Sequence, residues 1–189
     1  MVMAGSSTAL PEGVRLYSLT PHRDARGSVV ELYRETWELG CRAVQFNALI
    51  SAAGVLRGVH VHVRHVDHMA LLSGRMVVGL HDMRPASPTV GASCVLELDA
   101  DAPRAVVVPP GVAHGMYFPV ASVLTYGLSH PWEPGEEIGC RWDSKELGLA
   151  WPTSTPVLSE RDAAAPGYAD SVAAFGRAWA AQYGTAADL

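Results

Sequence analysis

The sequence predicts an all-β sandwich or barrel covered by one C-terminal amphipathic helix. Short β-rich runs recur from about residue 13 to residue 151, and Gly, Pro, Asp or Ser clusters separate most of them. After Pro166 the apolar residues change to helical spacing.

The expected strands, in order, are SVVELY (28–33), AVQFNALI (43–50), GVHVHV (58–63), MALLSG (69–74), RMVVGLH (75–81), CVLELD (94–99), RAVVVP (104–109) and VLTYGL (123–128). Each is short and rich in residues that suit a pleated, half-buried surface. The clearest turns are 86–91 and 99–103, whose residues fix or free the backbone. Near the end, Val172, Phe175, Trp179 and Tyr183 form a helical stripe in an alanine-rich background, which predicts a packing face rather than a cofactor box. With 189 residues, 49% hydrophobic and 17% charged, the chain suits one domain: a barrel over about 14–160 and a helix over about 166–185.

A net charge of -5 disfavours nucleic acid as a partner. The first seven residues lack a basic stretch followed by an apolar run, and no segment is long and apolar enough for a membrane span, so a soluble, cytoplasmic protein is expected. Cys41, Cys94 and Cys140 are odd in number and widely spaced, as small buried thiols in a reducing compartment would be.

The densest chemistry lies in G-x5-H-x-H-x4-D-x6-G, from Gly54 to Gly74. On a strand, His60 and His62 share one face, while Val59, Val61 and Val63 turn to the other. A further histidine, His114, follows the Pro109-Pro110-Gly111 turn. The two segments resemble the motifs of the cupin superfamily, whose double-stranded β-helix (jelly-roll) barrels hold a metal ion with two histidines and an acid from the first motif and one histidine from the second. The resemblance implies His60, His62, Asp67 and His114 as ligands. Imidazole and carboxylate donors suit divalent Fe, Mn, Ni, Co or Zn. The alternative is a polar, metal-free interior. A one-residue slip after the turn would bring His68 inward in place of Asp67. Otherwise His65 and His68 are expected to face solvent, as are His22 and His130, while His81 could face either way.

Across residues 14–166 the chain also resembles the dTDP-4-dehydrorhamnose 3,5-epimerase family. The matching pieces run in family order: Asp24, Arg26 and Gly27 with Glu31; Gln45 and Asn47; Gly54 through His60; Asp82 to Gly91; Pro109 to Gly115; Tyr126; Glu137; Trp142-Asp143; Trp151-Pro152; and Leu158 to Asp162. The resemblance implies a homodimeric barrel that binds a nucleotide-linked 4-keto-6-deoxy sugar and inverts carbons beside the ketone, with no organic cofactor. It makes His60 the base and Asp162 its orienting partner. Arg26, Glu31, Gln45, Asn47 and Arg57 would hold the sugar nucleotide or shape its pocket, with His114 and Trp132 beside them.

Three positions depart from the family pattern. The tyrosine that serves as acid is replaced by Trp132, whose indole N–H does not titrate in the useful range. The lysine that steadies the enolate falls at Asp67, and a glutamine falls at His62. These changes disfavour full 3,5-epimerisation and leave Tyr126 as a candidate catalytic group. They also leave open a metal-dependent oxygenase or lyase acting on a small metabolite, and a non-catalytic sugar-nucleotide binder. The two readings of His60 exclude each other, because a ring nitrogen bound to metal cannot also accept a proton. Asp162 would orient the base or accept from the free N–H of a ligating His60.

Overall fold

A computed structural model describes residues 9–37, 42–133 and 135–184. Its strands are β1 (Arg15–Ser18), β2 (Pro21–Asp24), β3 (Gly27–Val30), β4 (Gln45–Ser51), β5 (Val55–Val61), β6 (Asp67–Ser73), β7 (Arg75–Asp82), β8 (Ser93–Asp99), β9 (Arg104–Val108), β10 (Val112–Phe118), β11 (Ser122–Leu128) and β12 (Ile138–Gly139). A 3-10 turn (Lys145–Leu147) and helices α1 (Glu160–Ala163) and α2 (Tyr168–Tyr183) follow. Two antiparallel five-stranded sheets, β1-β9-β6-β11-β4 and β12-β5-β10-β7-β8, face each other as a jelly roll, and β2-β3 forms a separate hairpin. No helix among the described residues is long and apolar enough to cross a membrane.

Alternation in the strands sends one set of side chains between the sheets, where Met69, Leu71, Val78, Leu80, Phe118 and Leu124 fill the core. Each such side chain contributes roughly 1.5–3 kcal/mol by leaving water. β5 is buried on both faces: Val59 and Val61 turn outward beneath α2, into a second cluster with Ala113, Cys140, Leu147 and Phe175. The expected division of histidines and valines between the faces of β5 is therefore present.

Three expectations are corrected. The run 28–33 is strand only to Val30. β10 was expected only as a histidine after a turn, yet it is a central strand paired with both β5 and β7; its Gly and His residues masked the apolar alternation. The buried side of α2 comprises Ser171 and Phe175, with Tyr168 and Trp179 partly covered, whereas Val172 is 38% exposed. Ser171 belongs inside because its hydroxyl donates to the Gly139 carbonyl at 2.8 Å. Tyr183 still anchors the stripe by donating to the Val63 carbonyl at 2.7 Å.

Cys94 and Cys140 are free and buried, as expected; Cys41 lies outside the described residues. His81 is buried between Ser93 Oγ at 2.7 Å and Tyr168 Oη at 2.9 Å. His22 and His130 are exposed.

Candidate active site

A cavity of about 480 Å³ opens between the sheets, lined on its polar side by Arg57, His60, His62, Asp67, His114, Tyr126, Glu137, Arg161 and Asp162. Strand pairing brings these residues together. His114 on β10 pairs with His60 on β5, with a bulge at Gly115. On the opposite sheet, Tyr126 on β11 pairs with Met69 of β6 and Asn47 of β4. Gly58 permits the close approach of β5 to β10: its φ is 114°, and a Cβ there would lie 2.8 Å from the Gly115 Cα.

His60 Nε2 lies 2.7 Å from Asp162 Oδ1. Asp162 is fixed by α1, where its backbone N–H donates to the Ser159 cap at 3.1 Å, and its Oδ2 accepts from Gly58 N–H at 3.4 Å. Burial pushes the Asp162 carboxyl up, but hydrogen bonds from His60, Ser159 and Gly58 outweigh it, so the group sits below the usual carboxylate range. A carboxylate can only accept, which places the proton on Nε2 and leaves Nδ1 as the basic nitrogen. Arg161 also approaches Nε2, at 3.2 Å, but cannot donate to a protonated nitrogen. It instead pairs with Glu137 and stands 3.6 Å from Asp162.

A second group occupies the inner end of the cavity. His62, just beyond β5, Asp67, opening β6, and His114, on β10, are all buried, and one donor atom from each lies within 4.8 Å of the others. His62 Nε2 and His114 Nε2 stand 4.0 and 3.9 Å from Asp67 Oδ2. His114 Nδ1 donates to the Val112 carbonyl at 3.3 Å, leaving Nε2 unprotonated. His62 Nδ1 has no hydrogen-bond partner. Burial, then the neighbouring imidazoles, holds His62 well below the ordinary histidine range; burial also lowers His114 to about 4 and raises Asp67 well above its usual range.

These residues fit a divalent ion chemically: two neutral imidazoles and a carboxylate are first-row donor types, and His62 retains an unused polar atom. The separations exceed the roughly 3.0–3.5 Å between donors that bonds of about 2.1 Å require, so a bound ion would have to draw the three side chains together. His60 is not among the donors that lie within this distance of one another, and its Nε2 faces Asp162 instead. The expected four-residue set thus divides into a triad and His60, which pairs with Asp162.

Asp67, rather than His68, faces the cavity. His65 and His68 do not face solvent: both are 2% exposed. His65 stacks on His62 with ring centroids 4.0 Å apart and stands 3.6 Å from Asp67. His68 points the other way, its ring 5.8 Å from those of Tyr17 and Tyr33.

Tyr126 lines the cavity, its phenol raised by burial and by nearby Asp67 and Glu137. Gln45, Asn47 and Trp132 line an adjoining recess of about 290 Å³ that shares His62 and Asp67. Trp132 is 44% exposed at this mouth, where its backbone N–H donates to Gln45 Oε1 at 2.9 Å. Arg57 reaches the cavity from β5. Arg26 and Glu31 do not. Arg26 pairs with Asp24 on the exposed hairpin, and Glu31 lies beside Tyr17 and Trp37. Glu137 and Arg161 stand above only among matching pieces, and their ion pair across the cavity wall depended on a contact between distant segments. His65 carried no usable signal beyond its place in a histidine-rich turn.

A jelly-roll barrel whose cavity holds a carboxylate-oriented histidine is a cupin fold equipped to move protons. The family profile described as dTDP-4-dehydrorhamnose 3,5-epimerase matches residues 7–170. The chain is 34% identical over 169 residues to the dTDP-4-dehydrorhamnose 3,5-epimerase of Streptomyces griseus, covering 84% of each chain. Among solved structures it is similar to the rmlC epimerase of Mycobacterium tuberculosis, with TM-score 0.80 and 30% identity over 86% of this chain and 88% of that one. It is also similar to ChmJ, a 3'-monoepimerase from Streptomyces bikiniensis in complex with dTDP-quinovose, with TM-score 0.80 and 27% identity over 95% and 96% of the two chains. The chain belongs to the dTDP-4-dehydrorhamnose 3,5-epimerase family.

Proposed function

We propose that the protein is an epimerase that inverts one carbon beside the ketone of a dTDP-linked 4-keto-6-deoxy sugar. The observation that carries this reading is the 2.7 Å His60–Asp162 contact inside the cavity. Nδ1 of His60 removes the proton next to the ketone, and Asp162 stabilises the imidazolium that forms. Arg57 and Arg161 supply positive charge suited to a diphosphate. Tyr126 is the phenol on the cavity wall that can return a proton on another face.

Two residue identities support restriction to one centre. Trp132 offers no transferable proton at the mouth. The one lysine of the chain, Lys145, is on the 3-10 turn rather than among the cavity-lining residues.

Arg26 and Glu31 sit outside the cavity, so a role in sugar-nucleotide binding requires a second copy to present its hairpin; this favours a homodimer. The test uses dTDP-4-keto-6-deoxyglucose in deuterated solvent. Wild-type protein should place solvent deuterium in the sugar, and His60→Asn should not, while calorimetry shows dTDP still bound by both. A wild-type protein that binds dTDP but exchanges no deuterium would be a binder, not an epimerase.

A further inference from the structure

We infer that His62, Asp67 and His114 form a three-residue site for one divalent first-row transition ion, separate from the His60–Asp162 base and open to the same cavity. Three observations carry it. The donor atoms come from three strand regions in both sheets and lie within 4.8 Å of one another, all on buried residues. The imidazole–carboxylate separations of 3.9 and 4.0 Å are too long for hydrogen bonds, so the polar groups converge without satisfying each other. Finally, the other ring nitrogen of His62, Nδ1, is buried and unpartnered, so no hydrogen bond commits this imidazole while its ring stacks on His65.

The hydrogen bonding of His114 agrees with ligation. His114 already directs its Nδ1 proton to a backbone carbonyl at 3.3 Å, the arrangement that fixes Nε2 as the donor nitrogen. Asp67 would become the anionic ligand by releasing its proton as the ion binds, and two imidazoles with one carboxylate leave further positions open to the cavity. Bound there, a divalent ion would supply Lewis-acid stabilisation to a substrate oxygen. That role rests on the epimerase reading; binding of the ion does not. With His60 outside the ligand set, base and ion can act in one cavity.

The test is made on full-length protein purified without a histidine tag, stripped with chelator and titrated calorimetrically with Zn2+, Mn2+ and Co2+ in the absence of sugar nucleotide. One equivalent of at least one ion should bind and raise the melting temperature. His62→Gln and His114→Gln should each weaken binding by more than about 100-fold, whereas His60→Asn should retain it. Circular dichroism verifies that the variants fold. A second measurement needs no variant: pulsed electron paramagnetic resonance of Cu2+-loaded wild type should count two coordinated imidazoles. Absence of binding by all three ions would overturn the site, and so would fewer than two imidazoles. Loss of binding in a folded His60→Asn variant would overturn the ligand set. Because sugar nucleotide is omitted, failure here leaves the deuterium-exchange result standing, and the reverse also holds.

Discussion

Asp162 decides which nitrogen of His60 is basic. With Asp162→Asn, an amide that can donate as well as accept no longer enforces protonation of Nε2, and the imidazolium loses its counter-charge. Turnover should fall by about 10²–10⁴-fold with little change in dTDP affinity, measured by steady-state kinetics and calorimetry. Equal losses in both would mean that Asp162 shapes the binding pocket instead. His60 and Asp162 were legible as a pair only through the family pattern, since 102 residues separate them. The shared direction of His60 and His62 followed from strand alternation, Asp67 came only from the cupin resemblance, and the burial of His68 followed from neither. Its ring faces away from the cavity into a niche made by Tyr17 and Tyr33, a long-range contact invisible to local periodicity.

At the scale of elements, the turn after β7 is organised by one buried carboxylate. Asp82 accepts from Arg84 Nε at 2.9 Å and from the Ser87 and Thr89 hydroxyls, each at 2.6 Å. Burial raises its pKa, but these donors more than offset that and bring it from 3.8 to about 2. A depressed carboxylate stabilises the fold fully above its unfolded pKa, and the contribution fades as pH falls from about 4 towards about 2. Asp82→Ala should cost about 3 kcal/mol near neutral pH in urea unfolding, with the loss narrowing over that acid window. An unchanged difference between pH 7 and pH 2 would show that the carboxylate's charge is not what stabilises the turn.

Helix α2 offers a second element-scale test. Phe175→Ala should cost about 3–5 kcal/mol, while Val172→Ala on the exposed side should stay within about 0.5 kcal/mol. The sequence stripe placed both residues on one face. Helical spacing alone cannot distinguish a slightly rotated face, and the hydroxyl of Ser171 settles the rotation by bonding to Gly139.

For the whole molecule, the cavity lies where the two sheets and α1 meet: His60 and His114 come from one sheet, Asp67 and Tyr126 from the other, and Asp162 from the segment that follows the barrel. The fold class was readable because strand alternation, turn residues and the late change of period agree with one another. The cavity's division into a base pair and a triad was not readable, because both contain histidines of the same short motif and only three-dimensional distances separate them. The hairpin bearing Arg26, and Glu31 just after it, lie outside this assembly. If a second copy supplies it, Arg26→Ala should weaken dTDP binding, and mixing it with an inactive His60→Asn chain should leave one site in the mixed dimer with neither substitution and restore part of the activity. A monomer by analytical ultracentrifugation would remove that role.

The reading as a single-centre epimerase is tested most directly by locating solvent deuterium in dTDP-4-keto-6-deoxyglucose after turnover in deuterated water. With His60 as base, Tyr126 returning the proton on the opposite face and no further donor at Trp132, NMR and mass spectrometry should find deuterium at one carbon beside the ketone, with inversion at that carbon alone. Deuterium at both flanking carbons, together with the doubly inverted sugar, would contradict the account.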